Sequence, residues 1–407
     1  MPTTEDLSVA YHQQDTNYYC GAACAQMVLD SIGTGLLSQD DLYSDNHSHS
    51  TAEPGWYTAP DGLLWTMNNL KPPSPTFNSY FVLDALDNED SISRALIWTL
   101  HHYRVAPIAM VYGSQHWVVV RGYTASAAPN GFADNSYSIS GFMLNNPWPP
   151  TPSADNPAAA PPPPHSGADG CGNGGNRGVA DEHIAYTTWQ SDYMTGVPGG
   201  HWAGKFVAVC DPDPPPSRPG IFREILMRPL PGHRLITADV ALARANEGLR
   251  VHGLLDLDTH KRALTGTQPG QPVLVQRLDR LDSFYFIVPF SEPAGTTALA
   301  VAVDARTGVY RQSIVRTAGQ GTVLSLNDRQ AASRVLVGRT IELPARLGRI
   351  LVRPEAICHY PTLVWKPCLE SLSPFYPFHQ FTVGSHHIYV RNDGAVFTEL
   401  HDNYRGI

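Results

Sequence analysis

The order of elements along this chain predicts an α+β protein: helices first, then a run of strands, then two helix-plus-antiparallel-sheet units. Three observations carry that expectation. A helical pattern opens at Cys20 and recurs over 62–70 and 91–104. Four β-patterned segments follow without a helix between each pair, which separates α+β order from alternating βαβ. The second half then carries similar segments at an offset of roughly ninety residues, as an internal repeat would.

Residues 1 to about 32 read as a short extended entry and then a helix. Ala23, Met27, Val28 and Ile32 fall close to helical spacing, and Gly33 is placed to stop the helix at C′. Residues 62–70 and 91–104 read as two more helices; Ile92, Ala95, Leu96, Trp98 and Leu100 supply the buried side of the second. The strand candidates are 105–112, the valine-rich 116–123, 137–144 and 205–210.

An insertion rich in Pro, Ala, Gly and Asn occupies 147–178. Its composition cannot bury enough apolar surface to fold alone, so a mobile loop is expected. The Asp-Pro-rich stretch from Asp211 to Pro216 reads as a stiff linker. Beyond it, 272–275 is echoed by 361–364, 285–290 by 374–378, and 302–308 by 389–394. A helix-like segment precedes each copy, at 238–249 and 326–337, and turns are expected near Gly308 and Gly394. These features divide the chain at 1–212, 213–320 and 321–407.

The chain has 407 residues, 42% of them hydrophobic and 10% aromatic, which is enough for more than one packed core. A formal charge of -9 leaves no basic footprint, so nucleic acid is not an expected partner. No segment is apolar and long enough to insert in a membrane, and the N-terminus has no signal-peptide pattern. The six cysteines (Cys20, Cys24, Cys171, Cys210, Cys358 and Cys368) are too scattered for a disulfide scaffold. A cytoplasmic setting is the default, with a non-classical export route left open. No metal or cofactor is expected.

The segment Gln14-Asp15-Thr16-Asn17-Tyr18-Tyr19-Cys20-Gly21-Ala22-Ala23 carries most of the chemistry. A thiol at a helix N-terminus sits in the positive end of the helix field, which favours the thiolate. An amide six residues upstream, on Gln14, can reach back to an oxyanion formed by that thiolate. His116 opens a β-branched strand after Gly113-Ser114-Gln115 and is the candidate base. Asn146, in Asn145-Asn146-Pro147, closes the next strand candidate and is placed to orient the imidazole; Asn145 is its competitor.

On these residues the first 212 positions resemble the papain-like cysteine peptidases, most closely the C39-like branch. The resemblance implies a helical lobe facing a twisted antiparallel sheet, with the site between them. It implies Gln14 as oxyanion donor, Cys20 as nucleophile, His116 as general base and acid, and Asn146 as orienter, acting on a peptide or protein substrate. The branch usually carries Asp where this chain has Asn146; an Asn serves in papain itself. Transamidase chemistry uses the same groups, and a silent peptide-binding protein would keep the cleft without the reaction. The repeats in the second half resemble PepSY-type modules, which implies a regulatory or substrate-presenting role and an intramolecular contact with the cleft.

Other residues have plainer readings. Cys24 packs inside the helix, and Gln13 is a solvated neighbour of Gln14. His101-His102 and His386-His387 lack partners at zinc spacing. His47 and His49 sit in a polar loop. Cys358 and Cys368 are free thiols. Trp65 belongs to a core, whereas Trp117 walls the cleft if it is not core. The insertion after Asn146 is a surface loop, or a lid over the thioester.

Overall fold

The computed structural model describes residues 3–401 apart from 17, 73–80, 132–133, 148–178, 211–226, 228, 233, 316–328, 344–347, 358–360, 369, 372 and 385. The insertion from 148 onward, the Asp211–Pro216 linker, Cys171 and Cys358 lie outside the described residues.

In the first half, β1 (Thr3–Asp6) precedes three helices, α1 (Cys20–Ser31), α2 (Gln39–Ser48) and α3 (Pro60–Leu70). Then come β2 (Val82–Leu86), α4 (Glu89–Trp98), β3 (Ile108–Val111), β4 (His116–Ala125), β5 (Ile139–Asn146), β6 (Val179–Ala185), the single turn α5 (Tyr186–Thr188) and β7 (Phe206–Cys210). Local chemistry explains several boundaries. Pro60 opens α3, where its missing N–H costs nothing. The Asn88 side chain accepts from Ser91 N–H to cap α4 at 2.8 Å, and Glu89 and Asp90 complement the helix dipole. Gly33 follows α1 at φ +96°, a conformation that suits glycine at C′.

Three details differ from the sequence reading. The helix expected over 91–104 ends at Trp98 and continues as one wider π turn, Thr99–Tyr103. His47 lies inside α2 and His49 at its end, not in a loop; α2 is so polar that only Leu42 and Tyr43 hint at an apolar side. Trp65 is 38% exposed and stacks on His49 instead of joining a core. His386 and His387 lie on a strand. His101 sits 2.9 Å from Glu5, and His102 stacks on Trp98. Among the described residues no group of three or more His, Cys, Asp or Glu side chains is placed to hold a metal ion.

The second half contributes α6 (Ala238–Val251), α7 (Asp258–Leu264), β8 (Gln268–Pro269), β9 (Val273–Arg277), β10 (Phe284–Ser291), β11 (Thr297–Asp304) and β12 (Tyr310–Val315). It ends with α8 (Arg329–Leu336), β13 (Thr340–Glu342), β14 (Arg349–Leu351), β15 (Thr362–Trp365), β16 (Phe378–Val383), β17 (His386–Arg391) and β18 (Val396–Phe397). Strands β9 to β12 form one antiparallel meander and β15 to β18 another. Gly308 and Gly394, both at positive φ, sit in the turns before their last strands.

Among the described residues sixteen strands join one mixed sheet, in the order β18-β17-β16-β15-β9-β10-β11-β12-β6-β5-β4-β3-β7-β2, with β1 added on β4 and β8 on β10. The meanders meet through parallel pairing of β9 with β15. The two halves meet through antiparallel pairing of β12 with β6, with Gln312 opposite Ile184 and Ser313 opposite His183. The main core crosses this seam: Val118, Val120 and Leu144 share it with Ile287, Ile314 and Trp365. Asp192 from the first half is ringed there by Arg277, Arg280 and Arg311 from the second. Their charges hold its carboxyl well below the usual carboxylate range despite burial, which alone would raise it. Among the described residues, no helix is long and apolar enough to cross a membrane.

Candidate active site

Helix α1 is buried from Cys20 to Leu29, between the sheet and its helical neighbours. Its start has no side-chain cap. Backbone N–H groups of Trp117 on β4, of Gly21 and of Cys20 itself lie around the Cys20 sulfur and favour its charged form. This close approach explains Gly21. A Cβ there would lie 2.5 Å from the Thr58 side chain, and Thr58 also accepts from Trp117 Nε1 through its carbonyl at 3.2 Å. The 50–58 loop is thereby fixed to both α1, which Cys20 opens, and β4, which His116 opens.

His116 is the first residue of β4, opposite Val111 in the β3–β4 hairpin. Tyr112, Gly113 and Ser114 in that turn all have positive φ, at 55°, 60° and 75°. Two of the three are not glycine, and left-handed backbone at such residues costs on the order of 1–3 kcal/mol each. Neighbouring contacts hold it: Tyr112 N–H donates to the Tyr193 carbonyl at 2.7 Å, and the two rings pack 4.8 Å apart. The turn therefore delivers His116 from a rigid, strained base.

His116 Nε2 lies 2.8 Å from Asn146 Oδ1. Strand β5 runs two residues past the predicted end at 144 and carries Asn146 at its tip. Alternation along the strand separates the two asparagines. Asn145 donates to the Val9 carbonyl at 3.0 Å, so the competitor fastens the entry segment and Asn146 meets the imidazole.

Gln14 is buried, and its Nε2 donates to the Thr16 carbonyl at 2.7 Å. An amide nitrogen carries two hydrogens, so one contact to Thr16 leaves it a second to offer. The Gln14 segment is clamped by a residue that sequence reasoning passed over. Gln39 accepts from Asp15 N–H at 3.0 Å and donates to the Gln13 carbonyl at 2.8 Å and to Gln26 Oε1 at 3.0 Å. Gln13 is therefore buried and not solvated. The available signal was Gln26, a polar residue inside an otherwise apolar helix.

Glu182 on β6 was missed as well. It is fully buried and accepts from Asn146 Nδ2 at 2.9 Å, Tyr193 Oη at 3.0 Å and Gln312 Nε2 at 3.3 Å. Burial pushes its carboxyl up to about 7, against the hydrogen bonds from Asn146 and Tyr193, which favour the charged form.

Cys20, His116 and Asn146 have no exposed surface, and Gln14 has 1%. This burial overturns the expectation that the helix end depresses the thiol. Desolvation pushes Cys20 well up, outweighing the three N–H groups that favour the thiolate. Cys24, one turn on, is buried and raised too, as a packing thiol would be. Trp117 is wholly buried, so it belongs to the core.

The 195–205 loop, closed by Val197 N–H to the Lys205 carbonyl, packs on the strained turn with Pro198 and Gly196 beside Gly113. It is tied to the 50–58 loop by His201 N–H donating to Glu53 and by Trp202 against Trp56, rings 5.6 Å apart. A cavity of about 330 Å³ opens there between Trp56, Ser114, Pro198, Gly199 and Gly200.

Comparison of the chain with protein families, with characterised proteins and with solved structures finds no match.

Proposed function

We propose that the chain is a papain-like cysteine peptidase with a duplicated accessory region in its second half. The observation that carries this reading is the His116–Asn146 pair, 2.8 Å apart, with His116 on the strand that packs against the helix Cys20 opens. The helical layer α1–α3 packed on an antiparallel sheet supports the same reading, as does the position of Cys20 at the first turn of the central helix.

His116 takes the thiol proton, and the thiolate attacks a peptide or isopeptide carbonyl. The Cys20 N–H and the Gln14 amide receive the oxyanion. His116 returns the proton to the leaving amine, and then activates water against the acyl-enzyme. Substrate enters by parting the 195–205 loop from the 50–58 loop.

The complete burial of Cys20 favours a second reading, a peptide-binding protein that keeps the constellation but holds the thiol neutral. Intact-mass labelling with a small thiol electrophile separates the two, on the native chain, Cys20→Ala and His116→Ala, over about pH 5 to 8. Labelling at Cys20 that outruns the other cysteines and collapses in His116→Ala supports the peptidase. Labelling no faster than at Cys24, and indifferent to His116, leaves the binding protein.

A further inference from the structure

We infer that Glu182 is the positioning residue that sets the His116–Asn146 pair, and that Gln312 of the second half completes its support. The inference rests on the peptidase reading and deepens it. Glu182 receives three donors: Asn146 Nδ2, the Tyr193 hydroxyl and Gln312 Nε2. In its ionised form, which the hydrogen bonds from Asn146 and Tyr193 favour against burial, the Glu182 carboxyl only accepts, so Asn146 must turn Nδ2 toward it. Oδ1 is then the atom that faces His116, and it accepts. Nε2 must therefore carry the ring proton, which leaves the basic lone pair on Nδ1. Of the two tautomers, this one keeps the basic nitrogen on the edge of the ring away from Asn146, where the proposed reaction needs it. An asparagine alone fixes nothing, because its amide turned over would select the opposite tautomer.

Gln312 gives this chain a long reach. It sits on β12, where it lies opposite Ile184 on β6, and it also donates to the Tyr193 hydroxyl at 3.1 Å. Tyr193 is thus held from behind while it holds Glu182. The second half touches the site here, at the back of the triad, and its contact supports the site. An inhibitory segment would instead lie across the cleft.

The test uses the full chain with ¹⁵N-labelled histidine. The His116 ring is assigned by its loss in His116→Ala, and its tautomer is read from the ¹⁵N shifts and long-range couplings. Native protein should show the Nε2–H form. Glu182→Gln keeps shape and volume but can donate to Asn146 Oδ1; it should shift His116 toward the Nδ1–H form and lower kcat by about 10–100-fold with KM little changed. Gln312→Leu should move the same two readouts in the same direction by a smaller factor. An unchanged tautomer in Glu182→Gln, in a protein that melts like the native one, overturns the inference whether or not the chain is a peptidase. A shifted tautomer with no Cys20 labelling or peptidase activity in any form keeps the positioning role and overturns the peptidase reading. If Gln312→Leu changes neither readout, the claim for the second half falls.

Discussion

Arg277 and Asp192, one from each half of the chain, form an ion pair in which neither side chain is more than 4% exposed. Arg277 is held on its far side by Asp279 and lies over the Trp365 ring at 5.0 Å. Removing Asp192 would leave Arg277 buried with less than its full counter-charge, alongside Arg280 and Arg311. Asp192→Asn should therefore destabilise the protein by about 3–5 kcal/mol, the range for breaking a buried pair from one side. Urea unfolding of the full chain measures this; a change below about 1 kcal/mol would show that the pair contributes as little as a surface one.

The seam should also be sensitive to acid. His183, His252 and His260 are buried around Tyr310 and Ser313, with His183 Nδ1 3.0 Å from the Tyr310 hydroxyl and His260 Nε2 3.3 Å from Ser313. Burial pushes His252 and His260 down to about 4, and His183 well below its usual range, with Arg121 adding to the effect at His260. The unfolded chain binds these protons near 6.5, before the folded one does. Their contribution is thus intact above about pH 6.5 and is lost as pH falls toward 4, on the order of 3 kcal/mol for each of His252 and His260. Glu182, raised to about 7, has the opposite sign: its contribution is full below about 4.5 and lost as pH rises toward 7. Melting temperature against pH for the native chain and His252→Gln isolates the histidine. The two curves should converge on acidification, and parallel curves would refute the assignment.

Opening of the site should be measurable at Cys20. Glu53→Ala removes the acceptor of the His201 N–H, and Trp202→Ala removes the ring against Trp56. Each should speed electrophile labelling at Cys20 by about tenfold or more, the scale of one hydrogen bond to a charged group, while Cys24 stays slow. Equal acceleration at both cysteines would indicate general loosening of α1 instead of a cover lifting.

The clamp on Gln14 makes a fourth test. Gln39→Leu deletes its bonds to Gln13, Asp15 and Gln26 at nearly constant volume. Loss of one oxyanion donor lowers kcat by about 100–1,000-fold in well-studied hydrolases, and a misplaced Gln14 should approach the lower end. Gln39→Glu keeps the acceptor for Asp15 N–H but loses both donors, and should fall between the two. If Gln39→Leu turns over substrate at the native rate, the Gln39 clamp does not position Gln14 for oxyanion binding.

The helix at Cys20 and the strands at His116 and Asn146 were legible because each announces itself locally, by helical spacing or by β-branched runs. Glu182 was not. Strand β6 reads Val-Ala-Asp-Glu-His-Ile-Ala, with three polar residues mid-strand, two of them carboxylates of a kind depleted from sheets, and it follows a Pro/Gly-rich stretch. Only a partner on each side makes it a strand, and one of these, β12, lies far along the chain. Gln39 was hidden for a related reason: α2 has almost no apolar stripe, and the value of its buried amide depends on a loop that precedes it by two dozen residues. Local pattern reveals elements that would form on their own, and it is silent on those held in place by distant neighbours.

The pairing of β6 with β12 has a consequence for the newborn chain. Glu182 and Gln312 are separated by 130 positions. At about 5–20 residues per second, an emerging β6 waits on the order of ten seconds for its outer neighbour. Through that interval its edge is unpaired, which is the condition in which strands recruit the wrong partner. Ribosomes stalled short of β12 should thus hold a protease-sensitive first half, and those stalled well beyond it a resistant one. Under the peptidase reading, a nascent chain carries its nucleophile and its base long before Glu182 is fully supported, so activity starts only late in translation.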